Sequence, residues 1–306
     1  MSRRPSAFSA LIAVDKPAGL TSHDVVARVR RAVGERRVGH AGTLDPAATG
    51  VLVVGIGQAT KLLGLLTLDR KGYRATLSLG AETTTDDAEG DVTRRAPVPD
   101  EALDEERAAA EVARLVGTRD QVPPRYSAVS VNGRRAYDAA RSGEELELAP
   151  RRVTIHAARL VEVRPAERAW VVDLDVSKGT YVRSIARDLG RELGCLAHVG
   201  ELRRTFSGPV TLADCVGLDE LSERGADLVH ERALDPAAVL GLPVRELLVD
   251  EIPDVACGRR IAAGADLAQG ARVALVFAGG LVGIWRRDGR HLVCESNFPQ
   301  GIEGVR

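Results

Sequence analysis

The stretch His40-Ala41-Gly42-Thr43-Leu44-Asp45-Pro46-Ala47-Ala48-Thr49-Gly50 sets one acidic side chain among glycines, small residues and a proline. A carboxylate in such a loop can attack an electrophilic carbon or stabilise a neighbouring positive charge. Read bare, Leu44-Asp45-Pro46 is a turn. Pro46 biases Asp45 toward extended dihedrals, and an Asp side chain there readily accepts backbone N–H bonds. Leu234-Asp235-Pro236 repeats the tripeptide with none of the surrounding string, so only the longer string points to chemistry. Glycoside hydrolysis ordinarily needs two facing carboxylates, and no second acid motif accompanies Asp45. Cys195, Cys215, Cys257 and Cys294 fall outside any C-x-x-C pattern and away from spaced histidines. That argues against a zinc site or a disulfide framework and fits reduced, partly buried thiols.

Ordered elements must position these residues. Residues 10–14 read as a short buried strand, broken by Asp15-Lys16-Pro17-Ala18-Gly19. Thr21 and Ser22 are N-cap candidates and Asp24 suits the first helical turn. Val25, Val26, Val29 and Val33 follow at helical spacing, with Gly34 as a stop. Arg30, Arg31, Arg36 and Arg37 gather at that helix end. The pattern predicts a loop over 38–46, a strand over 51–56, a helix over 59–68 and a strand over 73–79. The polar, acidic segment 81–99 is expected to be an exposed connection, and Asp100 to cap a helix over 101–116. A loop with Pro123-Pro124 should lead into a short basic helix over 134–141. Strands are expected over 153–163 and 170–176, and a helix over 180–193 with Ile185, Leu189 and Leu193 on one stripe. Residues 218–221 suggest a short helix and 236–243 a linker. Short strands over 273–277, 281–285 and 291–294 are split by Gly-Gly and Asp-Gly turns.

The chain has 306 residues, of which 44% are hydrophobic, enough for one large domain plus a small one. No run of about 18 apolar residues exists, so no membrane span is expected. Residues 1–9 carry Arg3 and Arg4 but lack the features of a signal peptide; a cytoplasmic protein is expected. Net charge is −1, yet residues 1–60 hold eight basic against four acidic side chains, and residues 86–113 hold ten acids against three arginines. This segregation leaves room for a positive face, and phosphate binding follows the local field.

The string G-H-A-G-T-L-D-P-x-A-T-G resembles the signature loop of the TruB family of pseudouridine synthases. Asp45 falls on the family's catalytic aspartate and His40 on its neighbouring histidine. Five further matches follow the family's order across about residues 10–210. They are Asp15-Lys16-Pro17-Ala18-Gly19-Leu20-Thr21-Ser22; Lys71-Gly72-Tyr73 with Leu79-Gly80; and Pro123-Pro124-x-Tyr126-Ser127-Ala128 with Gly133 and Tyr137. The last two are Gly179-Thr180-Tyr181-Val182-Arg183-Ser184 and Leu202-Arg203-Arg204-Thr205. Ser130 stands where the family commonly has lysine, which removes a possible phosphate contact. The resemblance implies an α+β pseudouridine-synthase fold, with a central mixed, mostly antiparallel sheet flanked by helices. It implies a catalytic domain over 1–240 with an insertion at about 121–150, and a small β-rich, PUA-like RNA-binding module over 244–306.

The same resemblance implies isomerisation of the uridine numbered 55 in the T loop of tRNA, without metal, nucleotide or redox cofactor. The insertion resembles the stand-alone bacterial type, which argues against a guide-RNA-dependent subunit. Intact Asp45, Tyr73 and Arg183 argue against a non-catalytic RNA-binding protein. Asp45 would be the nucleophile; attack at C1′, attack at C6 and stabilisation of a cationic sugar all remain open. Burial would raise its pKa, so a fixed cation is needed, and Arg183 can pair bidentately and stays charged. Tyr73 would stack on the uracil and help move a proton. Tyr181 would form a second aromatic wall and Leu202 a floor. The uridine must be flipped out at a cost of roughly a few kcal/mol, with His40 as the wedge. Lys16, Arg30, Arg31, Arg36, Arg37, Arg134, Arg135, Arg141, Arg203 and Arg204 are candidates for phosphate contacts. The expected partner is the tRNA T-arm, with no membrane, no protein partner and a monomeric state.

Overall fold

The computed structural model of the protein describes residues 8–66, 70–127, 129–131, 134–136, 142, 146–264 and 266–306. The chain forms two compact units. The first is Met1–Pro46, Gly50–Leu68 and Ser207–Arg306; the second is Ala47–Thr49 with Asp69–Phe206.

In the first unit, strand Ala10–Lys16 pairs parallel with Cys215–Gly217 and antiparallel with Thr49–Ile56. Its apolar run is nearly continuous because both faces are covered. Ala10, Ile12 and Val14 join Leu52, Val54 and Ile56 under helices Ser22–Val33 and Leu218–Arg232. Leu11 and Ala13 join Val51 and Val53 in a second core, completed by Ala274, Leu281, Ile284, Phe298 and Ile302. Helix Ser22–Val33 starts in a capping box. Thr21 Oγ1 accepts from the Asp24 N–H at 3.1 Å, and the Asp24 carboxylate accepts from the Thr21 N–H at 2.8 Å. It stops at Gly34, whose φ of 67° is left-handed.

Three expectations for this unit change. Residues 38–46 are not all loop: Val38–Ala41 is a strand, with His40 opposite Val54. Val38 and Ala41 are buried, an anchor the glycine between them disguised. Residues 236–243 are not a linker. Asp235 accepts from the N–H groups of Ala237 and Ala238, Pro236 occupies the first turn, and helix Pro236–Leu240 ends at Gly241. The expected short helix at 218 continues to Arg232 through a kink at Gly225. Beyond it lies a five-stranded sheet in the order Val244–Glu246, Arg272–Phe277, Gly280–Asp288, His291–Ile302, Ile261–Ala262. Trp285, Leu275, Val273 and Leu292 form its core, so the expected β-rich tail is present.

In the second unit, neighbouring strands run in the order Ala197–Ser207, Lys71–Leu79, Ala169–Val176, Arg151–Arg164, Gly117–Gln121. The sheets are mixed and mostly antiparallel, as expected. Helix Glu105–Ala113 starts at Asp104, after a separate turn at Asp100–Leu103. Segment 81–99 is not an exposed connection. Ala81–Thr83 and Val92–Arg95 form a hairpin, and Glu82, Thr83 and Asp87 are buried. Its turn is fastened to Ala197–Ser207 by the Val199 N–H, which donates to the Asp86 carbonyl at 3.1 Å. Arg134–Arg135 is a short strand paired with Ser130–Val131, not the start of a basic helix; most of the remaining expected helix lies outside the described residues.

Helix Val182–Glu192 runs close to the chain that follows it. A Cβ on Gly190 would come 2.2 Å from the Ala197 nitrogen and 2.4 Å from the Leu196 carbonyl carbon. Gly190→Ala should therefore destabilise by about 1–3 kcal/mol through overpacking, although alanine favours an isolated helix by about 1 kcal/mol. Denaturant unfolding reads the sign, as a lower midpoint in the variant.

Candidate active site

In the first unit, the backbone on both sides of Asp45 is fixed. Ser22, at the start of its helix, exchanges two hydrogen bonds with Leu44: its Oγ accepts from the Leu44 N–H at 2.9 Å and donates to the Leu44 carbonyl at 3.1 Å. The Pro46 carbonyl accepts from Lys16 Nζ at 3.0 Å and from the Gly19 N–H at 2.9 Å. Lys16 Nζ also donates to the Pro17 carbonyl at 2.9 Å. Lys16 is 0% exposed, and its ammonium meets carbonyl oxygens; the strand's last residue and the turn after it thus supply one anchor each to the loop. Asp45 itself is half-buried. A carboxylate on so constrained a backbone needs little reorganisation to react.

His40 stands on strand Val38–Ala41, its ring 5.5 Å from that of His23 in an edge-on pair. Arg30 donates to the carbonyls of Arg36 and Val38 and so closes the turn after its helix. Arg37 donates to Thr60 Oγ1 at 2.8 Å. Arg31 and Arg36 are exposed on the same end of the helix.

In the second unit, Tyr73 lies opposite Leu174 and is 8% exposed. The Phe206 ring presses on Gly72 beside it: a Cβ there would be 2.1 Å from that ring. Helix Val182–Glu192 packs on the same strand. Arg183, on its first turn, is 5% exposed. It faces Asp87 Oδ2 at 3.5 Å and donates to the carbonyls of Thr85 and Tyr126, each at 3.0 Å. Arg187 follows one turn later, 3.1 Å from Asp86 and 2.9 Å from the Val122 carbonyl. Arg191 lies 2.7 Å from Glu82, which also binds Arg94 at 2.8 Å. Four-residue spacing puts the three arginines on one face. Because the start of a helix disfavours a cation, Arg183 depends on these acceptors.

Burial works to raise the Glu82 carboxyl, but hydrogen bonds from Arg191 and Arg94 outweigh it and hold the group below its ordinary value. Asp86 goes the other way: burial pushes it up, and Arg187 offsets this only in part. A cavity of about 740 Å³ opens beside this ladder, lined by Glu82, Asp86, Asp120, Tyr126, Arg187 and Arg191 among others.

Sequence reading passed over Glu82, Asp86 and Asp87 as solvated acids. Only their spacing against residues 183, 187 and 191 could have signalled pairing. Tyr181 occupies the N-cap position of the helix without a side-chain capping bond and packs on Val129, Ala136 and Leu148 of the insertion. Leu202 is half-buried on strand Ala197–Ser207. Arg203 donates to Thr49 Oγ1 at 3.3 Å and Arg204 is fully buried. Arg134 is exposed and Arg135 shares its strand; Arg141 lies outside the described residues.

The model of the TruB family pseudouridylate synthase N-terminal domain matches residues 30–182, across the Asp45 loop and ending one residue before Arg183. The chain belongs to the TruB family of pseudouridylate synthases. A second family model, the tRNA pseudouridylate synthase B C-terminal domain, matches residues 183–247 of this TruB chain. Proteins named tRNA pseudouridine synthase B are similar throughout. That of Thermobifida fusca (strain YX) is 46% identical, with 94% of each chain covered. That of Arthrobacter sp. (strain FB24) is 49% identical, with 84% of each covered. Solved structures share the fold. A chain of an H/ACA ribonucleoprotein bound to a substrate RNA containing 2′-deoxyuridine matches with a TM-score of 0.68 at 24% identity. It covers 95% of this chain and 86% of that one. A chain of a Cbf5-Nop10-Gar1 complex matches with a TM-score of 0.69 at 24% identity, covering 98% and 92%. Among the described residues of this TruB member, no helix is long and apolar enough to cross a membrane, and all four cysteines are free thiols.

The depressed Glu82 carboxyl gives a pH dependence with a fixed sign. Its stabilisation is complete above the ordinary glutamate value and is lost as pH falls through the lower folded value. Glu82→Gln should therefore flatten the acid side of a melting-temperature profile while lowering stability at neutral pH. An unchanged acid slope in the variant would remove Glu82 from the acid response.

Proposed function

We propose that this TruB member isomerises the uridine numbered 55 in the T loop of tRNA, acting alone on the RNA with no guide. The relatives' name supports tRNA as the substrate class. In the reaction the N1–C1′ bond breaks, the uracil turns, and C5 bonds to C1′. C5 then gives up its proton and N1 gains one, so the atoms balance without a second substrate.

The reading rests on one observation, the seating of Asp45 between a residue pinned by Ser22 and one pinned by Lys16 and Gly19. Asp45 is the nucleophile in this reading. Arg183, a permanent cation, keeps a carboxylate ionised in a site closed to water, and Tyr73 stacks on the base and assists proton movement. Tyr181 and Leu202 bound the base, and His40 fills the gap it leaves. Arg30, Arg31, Arg36, Arg37, Arg134, Arg135, Arg141 and Arg203 contact phosphates of the T-arm. Lys16 and Arg204, fully buried, support the loop and strand that carry their neighbours. The catalytic domain spans residues 1–240, and the C-terminal sheet over 244–306 is a PUA-like RNA-binding module. The enzyme works as a cytoplasmic monomer.

Purified protein and an unmodified tRNA transcript suffice for the test. One T-loop uridine should be converted, and Asp45→Ala should abolish conversion while leaving RNA binding largely intact. Normal turnover in Asp45→Ala would remove Asp45 from the chemistry. Arg183→Lys should slow turnover far more than it weakens binding; equal losses in both would make Arg183 a binding residue. RNA affinity should fall linearly with salt on logarithmic axes, with a slope set by the number of phosphate contacts. A flat response would contradict a basic RNA-binding face.

A further inference from the structure

The neck of the insertion grips the start of the arginine helix through one side chain whose chemistry is otherwise unused. Gln121 ends strand Gly117–Gln121 and is paired with Arg151 on the next strand. These two residues therefore bracket the segment over 122–150. Gln121 is only 3% exposed, and its amide bonds the backbone of one residue through both its nitrogen and its oxygen. Nε2 donates to the Tyr181 carbonyl at 3.1 Å, and Oε1 accepts from the Tyr181 N–H at 2.9 Å. Tyr181 is the N-cap of helix Val182–Glu192, and its own side chain makes no capping bond. The insertion's first residues continue the grip. The Val122 carbonyl accepts from Ser184 Oγ and from Arg187, each at 2.9 Å, and the Tyr126 carbonyl accepts from Arg183 at 3.0 Å.

From this arrangement we infer that Gln121 is a positioning residue, which sets the start of the arginine helix and links the placement of Tyr181 and Arg183 to the inserted segment. The inference rests on the catalytic reading of Arg183 given above. Glutamine suits the position because a primary amide donates and accepts at once. An ionised glutamate of the same length keeps the acceptor and loses the donor, setting a negative oxygen against the Tyr181 carbonyl. Asparagine is one methylene short. The side chain acts on the frame that carries the arginine and touches no reacting atom.

Gln121→Glu and Gln121→Ala test this on the full chain, with two readouts. Amide hydrogen exchange on the RNA-free protein should show the start of helix Val182–Glu192 exchanging about tenfold faster in both variants, with the strands of the unit still protected. Single-turnover conversion of unmodified tRNA should slow about 10- to 100-fold, the size of a small misplacement of reacting groups, while the Kd for tRNA stays near that of the wild type. Wild-type exchange at the helix start would overturn the inference, and so would a rate loss matched by an equal loss of affinity. Should Gln121→Ala fail to fold, the isosteric Gln121→Glu decides. The exchange readout decides the positioning claim even if the wild type leaves the tRNA unconverted, a result that would overturn only the substrate reading.

Discussion

A guanidinium withdrawn from water must find acceptors, and that requirement organises the second unit. Arg183 and Arg187 are both buried. Each would be costly there if left unpaired. The hairpin between Ala81 and Arg95 supplies carboxylates and a carbonyl, and the segment after Gln121 supplies two more carbonyls. Three elements far apart in sequence thus meet because two cations on one helix face need them. Single pairs of this kind add little net stability, but breaking one leaves a buried charge exposed to a low dielectric. The ladder is better understood as fixing geometry than as a source of folding energy.

The first unit obeys a different constraint, that of a strand covered on both sides. Alternate residues of Ala10–Lys16 serve two cores, and its last residue sends its side chain to the loop that carries Asp45. The constraint on that loop is therefore inherited from a strand buried on both faces. A loop residue whose neighbours are tied to such a strand and to a helix start has few alternative conformations, which is what a reacting carboxylate requires.

Much of this was legible in the residues. The capping box at Thr21, the stop at Gly34, the strand expected over 73–79 and the helix expected over 180–193 all carry local signals, and local signals survive folding. The family string around Asp45 located the loop. What failed was whatever depended on tertiary context. Val38–Ala41 looked like loop because its strand character comes from its partner, Thr49–Ile56. Strand Ala197–Ser207 gave no clear pattern, since its faces alternate charged with apolar residues under partial cover. Glu82, Asp86 and Asp87 looked like solvent-facing acids because their arginine partners lie about a hundred residues away. Asp235 repeats the tripeptide without the family string and caps a helix, a role the same tripeptide at Asp45 does not share.

The double service of the first strand also bears on synthesis. Ala10–Lys16 is synthesised before its parallel neighbour Cys215–Gly217, some two hundred residues downstream, and before Phe298 and Ile302, which complete its second core. Until those residues are made, the strand's edges and apolar faces await partners. Such long-range closure is slow and leaves hydrophobic surface open to aggregation. The strand is thus made before most of the elements that cover it and is among the last of the described elements to be sealed.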